Sequence, residues 1–191
     1  IFFEMREELM AGQYLDVLEG VRAKSDRARS SKIARLKSGK YSIERPLQFG
    51  ASLAGANEKL MSDFSKFGIL LGEAFQLRDD LLGVFGNSGE TGKPSGDDLR
   101  EGKRTALIAT AIHNISDINR FNEIFGKANI SSDEILELQQ MIEKSGAPAK
   151  IETIIADLTT HALTALDDDA ITDEGKNLLR YLANIATTRK K

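Results

Sequence analysis

From Asn57 to Phe85 the sequence keeps one helical period, longer than any other in the chain. Leu60, Phe64, Phe67, Leu71, Phe75 and Leu82 recur at near-helical intervals and form one apolar stripe. A helix of this kind needs other amphipathic helices to cover it, and the remaining sequence supplies them. Helical patterns are predicted at 1–23, 27–40, 43–53, 103–113, 117–125, 131–145, 149–166 and 173–189. Ser25-Asp26 marks a turn with a cap, Pro46 stands near the start of a helix, and Ser116 and Ser131 precede acidic first turns as N-caps. Gly86 to Gly96 is the one turn-rich stretch, with four glycines, a proline, an asparagine and two serines. No segment alternates as a strand does, and there is no internal repeat. The predicted class is all-α, a bundle of long helices.

The face beside the stripe is unusual. Gly68, Gly72, Gln76, Asp79 (with Asp80 next to it) and Gly83 follow one another at spacings of four, four, three and four, which lines them along one side of the helix. Each internal glycine costs about 1 kcal/mol of helix propensity and each aspartate roughly 0.5–0.7, so the five residues together cost on the order of 4 kcal/mol. Such a concentration of helix-disfavouring residues marks a close helix crossing, a solvated corner or a functional face. The sequence just beyond the helix adds weight to the last. Lys93 and Lys103 follow within the segments Gly92-Lys93-Pro94-Ser95-Gly96-Asp97-Asp98-Leu99 and Gly102-Lys103. Carboxylates on a helix with lysines in the next loop suit a metal and a phosphate bound together.

Composition narrows the chemistry. There are no cysteines, which excludes disulfides, thiolate zinc and cysteine nucleophiles, and His113 and His161 are the only histidines. Any metal must therefore sit on oxygen, which favours a hard cation such as Mg²⁺. The 26 basic and 29 acidic residues are balanced, so charge points to neither nucleic acid nor an anionic membrane. At 191 residues a single domain is expected. The best apolar run, Phe67 to Phe75, is broken by Glu73 and is too short to span a bilayer. With no signal peptide visible, the expected location is cytoplasmic. The chain opens on Ile1-Phe2-Phe3-Glu4-Met5-Arg6-Glu7, within a helical pattern and without an initiator methionine, which reads as part of a longer polypeptide.

Two local patterns are incomplete. Gly92-Lys93 has the end of a P-loop, but Asn87 stands where the first glycine belongs and Pro94 where Ser or Thr belongs. Asp167-Asp168-Asp169 lacks the glycine and the alternating ligands of a calcium loop, and is read as a cap for the last helix.

Taken together, Phe75-Gln76-x-x-Asp79-Asp80, Gly92-Lys93-x-x-Gly96-Asp97-Asp98-Leu99 and Gly102-Lys103 resemble the carboxy-terminal half of the trans-prenyl diphosphate synthases. Gln13-x-x-Asp16 is similar to that family's Gln-x-x-Asp helix. Lys37-Ser38-Gly39-Lys40-Tyr41-Ser42 with Arg45-Pro46-Leu47 is similar to its Lys-Thr motif. The resemblance implies an isoprenoid-synthase-type fold of helices around a deep central cavity, partial here, the 191 residues being the carboxy-terminal part of one domain. It implies a homodimer in the complete protein, and condensation of an allylic diphosphate with isopentenyl diphosphate to a trans product, with geranylgeranyl diphosphate as the expected length. It assigns Asp79, Asp80 and Asp98 to Mg²⁺, with Asp80 in support and Asp98 acting through water. Lys37, Lys93 and Lys103 would hold the allylic diphosphate. Gln76 and Ser38, with Lys37, would stand near the reacting end.

Two departures from the family pattern carry expectations of their own. Gly83 replaces the last acid of Asp-Asp-x-x-Asp, which predicts a leaner metal site. The family's first aspartate-rich motif lies upstream of these residues, so the chain alone is expected to be inactive. A terpene cyclase of the same fold would read Asn/Asp-Asp-x-x-Ser/Thr-x-x-x-Glu, and Gly83 and Asn87 argue against it. A non-catalytic partner subunit of a heteromeric synthase is the other alternative, disfavoured by the retained Asp79, Lys37 and Lys93. A di-metal carboxylate bundle needs Glu-x-x-His pairs, and neither histidine has a glutamate three residues before it.

Overall fold

The computed structural model describes residues 1–20, 26–86 and 95–189, and among them every regular element is helical. Helix α1 spans Phe2–Gly20, α2 Arg27–Ala34, α3 Arg45–Leu53, α4 Glu58–Phe85 and α5 Asp97–Arg100. Then come α6 Ala106–Ala111, α7 Ile118–Ile124, α8 Ser132–Lys144, α9 Ala147–Thr164 and α10 Asp173–Thr188. A π-helical segment, Arg35–Glu44, joins α2 to α3, and a 3-10 turn, Ile112–Asn114, extends α6. The all-α expectation holds. The predicted helix ends at 21–23 and the turn at Ser25 lie outside the described residues.

The predicted break between residues 40 and 43 does not exist. Helical backbone runs unbroken from Arg27 to Leu53, because the ladder changes register instead of stopping. At the far end of the π segment the Arg45 N–H donates to the carbonyl of Lys40, five residues back. Pro46 follows at the start of α3, just where the ladder leaves its five-residue register, so the bond its missing N–H cannot make falls at the register change.

Helix α4 is the axis of the fold and packs most extensively on the π segment and α9. Asn57 caps it, its side chain accepting from the Leu60 N–H at 2.9 Å. In its first half Leu60, Phe64, Phe67 and Leu71 are buried with Ala51, Ala162, Leu166 and Ala183. In its second half the core line passes through Ala74, Leu77, Leu81 and Val84, packed against Leu107, Phe121, Leu138 and Ile151. Phe75 and Leu82, predicted for the stripe, stand half-buried beside it. A step of three from Leu71 keeps Ala74 on the core line, whereas the step of four to Phe75 rotates away from it.

The glycine face explains the close approach of the π segment. A Cβ on Gly72 would lie 2.0 Å from the Gly39 Cα, and one on Gly68 would lie 2.5 Å from the Glu44 Cα. The two backbones touch, which is the close-crossing reading of these two glycines.

Of three expected caps, one stands and two differ. Ser131 heads α8 with a full capping box to Glu134. For α7 the cap is Asp117, one residue after Ser116, accepting from the Arg120 N–H at 2.9 Å. For α10 it is Thr172, accepting from the Gly175 N–H at 3.1 Å, and not the Asp167–Asp169 run. A cap must bond the second or third N–H of its own helix, and those aspartates lie too far upstream. Asp168 instead accepts from the Ala170 N–H and pairs with Lys59, tying the loop before α10 to the start of α4.

Candidate active site

The helix predicted at 103–113 begins later than expected, and this shapes one wall of a cavity. Gly102 lies in the left-handed region, with φ of 64°, and its backbone comes against Gly126, whose Cα is 3.0 Å from the position of a Gly102 Cβ. The chain therefore turns at Gly102-Lys103, and α6 starts only after its cap Thr105. Helix α5, that turn, α4, the π segment and α1 enclose a cavity of about 570 Å³. Asp16, Lys37, Gln76, Asp79, Asp80, Leu82, Gly83, Asp98, Lys103 and Arg189 are among its lining residues.

Ser38, Gln76 and Asp80 form one hydrogen-bonded chain. The Ser38 hydroxyl donates to Gln76 Oε1 at 2.8 Å, and Gln76 Nε2 donates to Asp80 Oδ1 at 3.1 Å. Asp80 Oδ2 accepts from the Ala106 N–H at 3.1 Å, at the start of α6. Asp80 is turned about 100° from Asp79 around the helix and is buried, with both oxygens engaged. Burial pushes its carboxyl up to about 7, against the lowering effect of the Gln76 amide, with the Asp98 and Asp79 charges adding to the rise.

Asp79 and Asp98 face the open volume. Asp79 is half-exposed and accepts from Arg189 Nη2. Asp98, in the first turn of α5, accepts from Lys103 Nζ at 2.7 Å. Partial burial disfavours the Lys103 charge, but hydrogen bonds to Asp98 and Glu101 outweigh it and raise the ammonium above an ordinary lysine. The Asp98 carboxylate lies over Gly83, its Oδ2 2.1 Å from where a Gly83 Cβ would stand. The third glycine of the face thus admits a carboxylate where the first two admit backbone.

Lys37 reaches the cavity from the π segment and pairs with Asp16 of α1. The predicted residues Lys37, Ser38, Gln76, Asp79, Asp80, Asp98 and Lys103 thus gather around one space, although Ser38 itself is buried behind Gln76. Lys93 lies outside the described residues. Among the described residues no three carboxylate or imidazole groups are close enough to hold an ion by themselves. Asp79 and Asp98 are oxygen donors of the kind a hard divalent cation takes, and an ion on them would complete its shell with water or phosphate oxygens. Arg189 was not foreseen from sequence: it is the last residue of the helical pattern predicted at 173–189, with no local pattern linking it to Asp79.

The profile of the family described as Polyprenyl synthetase matches residues 1–142. Geranylfarnesyl diphosphate synthase of Aeropyrum pernix is 32% identical over 192 residues, covering 100% of this chain and 59% of its own. Geranylgeranyl diphosphate synthase of Sulfolobus acidocaldarius is 29% identical, covering 99% of this chain and 53% of its own. The crystal structure of geranylgeranyl pyrophosphate synthase from Corynebacterium glutamicum, complexed with isoprenyl diphosphate and magnesium, superposes with a TM-score of 0.92 at 40% identity. It matches 97% of this chain and 53% of that one, so these residues span little more than half the length of such relatives.

Proposed function

The chain belongs to the polyprenyl synthetase family, and from that premise we propose that it is the carboxy-terminal part of a Mg²⁺-dependent synthase domain. The complete protein condenses an allylic diphosphate with isopentenyl diphosphate and releases diphosphate. One observation carries this reading: an acid pair, Asp79 and Asp98, and two lysines, Lys37 and Lys103, converge on a single cavity floored by the Ser38–Gln76–Asp80 chain. The names of the relatives support a chain-elongating enzyme, with geranylgeranyl diphosphate as the product we favour. The same reading includes a homodimer working in the cytoplasm.

Asp79 would hold Mg²⁺, Asp98 would act on it through water, and Asp80 supports both by fixing α6 against α4. Bound there, Mg²⁺ supplies charge neutralisation for the leaving diphosphate. Lys37, Lys93 and Lys103 bind the diphosphate of the allylic substrate and stabilise the charge it gains as the allylic C–O bond breaks. Leu82, on the cavity wall, keeps water from the carbocation left behind. The Ser38 hydroxyl fixes the Gln76 amide, so its dipole is oriented before substrate arrives. The isopentenyl double bond supplies the electron pair for the new C–C bond. The proton then lost from that unit goes to the released diphosphate.

In the complete protein, Asp79→Ala and Lys93→Ala each lower turnover by orders of magnitude while circular dichroism stays unchanged. Near-normal turnover in both variants overturns the site assignment. The 191-residue chain alone, with acids on one side of the cavity, forms no product, and detectable condensation by it contradicts that part of the proposal.

A further inference from the structure

Arg189 follows the last residue of α10 and folds back onto α4. Its guanidinium lies 4.1 Å from the centre of the Phe75 ring, and its Nη2 donates to Asp79 Oδ1. The preceding turn is held at the same place. Arg78 Nε donates to the Thr187 carbonyl at 2.7 Å, and its two terminal nitrogens fork onto Glu152 at 2.6 Å each. Neighbouring residues of α4 therefore grip the end of α10 in two ways, Arg78 by a backbone carbonyl and Asp79 by a side-chain charge. The grips differ in strength of purpose. The Arg78 contacts satisfy a carbonyl and a carboxylate together. The Arg189 guanidinium is less well served, since its buried Nε has no hydrogen-bond partner.

We infer that Arg189 is a displaceable counter-ion: it neutralises Asp79 until a divalent cation takes that carboxylate, and the end of α10 is then released. The inference rests on the reading of Asp79 as a metal ligand. A guanidinium and a metal ion on one carboxylate repel each other, and the ion carries twice the charge. Their binding is therefore antagonistic, and by linkage whatever the ion does to the Arg189 contact, that contact does to the ion's affinity. Arg78 keeps the Thr187 carbonyl as a pivot in either state, so release is confined to the residues beyond it, and the Arg189 guanidinium leaves both Asp79 and the Phe75 ring.

The test uses the complete protein with Mn²⁺ alone, titrated by electron paramagnetic resonance, for the wild type, Arg189→Gln and Asp79→Asn. Amide exchange of residues 180–189 is followed with and without Mg²⁺. Arg189→Gln is expected to tighten Mn²⁺ roughly two- to five-fold, the range of a half-exposed ion pair, and Asp79→Asn to weaken it. In the wild type, Mg²⁺ speeds exchange of the Thr188 and Arg189 amides, the latter bonded to the Ile185 carbonyl; in Asp79→Asn it does not. Unchanged Mn²⁺ affinity in Arg189→Gln together with unchanged exchange overturns the counter-ion role while leaving the metal reading intact. A wild type that binds no Mn²⁺, or an Asp79→Asn variant that binds it equally well, removes the metal reading and the latch with it.

Discussion

Gly72 and Gly83 lie on the same face of α4, and in the sequence they do the same thing: each leaves a gap in a helix that would be more stable with a side chain. In the structure they answer to different neighbours. A Gly72 Cβ would stand 2.0 Å from the Gly39 Cα and 2.5 Å from the Gly39 N, both backbone atoms of a packed helical segment. A Gly83 Cβ would stand 2.1 Å from Asp98 Oδ2 and 2.4 Å from its Cγ, the end of one side chain. The first glycine sets the separation of two helices. The second makes room for a charge. A small residue on a helix face is therefore a packing device where the facing group is main chain and a site device where it is a polar side chain.

The largest expected effect tests the packing end. In Gly72→Ala no neighbour can swing aside, so α4 and the π segment must part. Overpacking of that kind costs about 3 kcal/mol or more, far above the roughly 1 kcal/mol of helix propensity that alanine returns. Chemical denaturation is expected to show a large fall in midpoint, and a variant as stable as the wild type would break the distinction.

Gly83→Ala is next. Here the obstruction is a carboxylate that can rotate, and the helix-propensity gain offsets much of the strain, so stability changes by less than about 1 kcal/mol. The cost appears in the site, because the Asp98 carboxylate and the Lys103 ammonium bound to it are both displaced. Mn²⁺ binding is expected to weaken roughly ten-fold, the lower range for groups that orient a metal ligand. A Gly83→Ala chain with intact Mn²⁺ affinity would reduce Gly83 to a second packing glycine.

These two positions also show what was legible in advance. The period of α4, the Asn57 to Phe85 bounds and the Ser131 cap rest on local spacing, and local spacing is what a sequence displays. The gathering of Lys37, Gln76, Asp79, Asp98 and Lys103 was legible only through the family resemblance, since three separate segments contribute them. Gly83 reads in sequence as the loss of an acid one turn from Asp79. In space the Asp98 carboxylate, from the following segment, fills that place. The π register at Arg35–Glu44 left no mark, because a shift from four- to five-residue bonds changes no residue type. Asp80 reads as a twin of Asp79, yet a single helical step sends it into the core against Ala106. Arg189 meets Asp79 across 110 residues, beyond the reach of any periodicity.

The smallest effect separates the two glycines most cleanly, because it is a rescue. If the obstruction at Gly83 is the Asp98 side chain alone, removing that side chain removes the obstruction. In an Asp98→Ala background, Gly83→Ala then has only the helix-propensity gain left, and is expected to stabilise the chain by up to about 1 kcal/mol. The double-mutant cycle should give a coupling of roughly 0.5–1 kcal/mol between positions 83 and 98, the lower range for residues in contact. No truncation of a side chain near Gly39 can do the same for Gly72→Ala, since the clash there is with main-chain atoms that every residue carries. Denaturation midpoints of the four cycle members decide it. Additive effects at 83 and 98 would mean that Gly83, like Gly72, is held by backbone, and the two glycines would then be one kind.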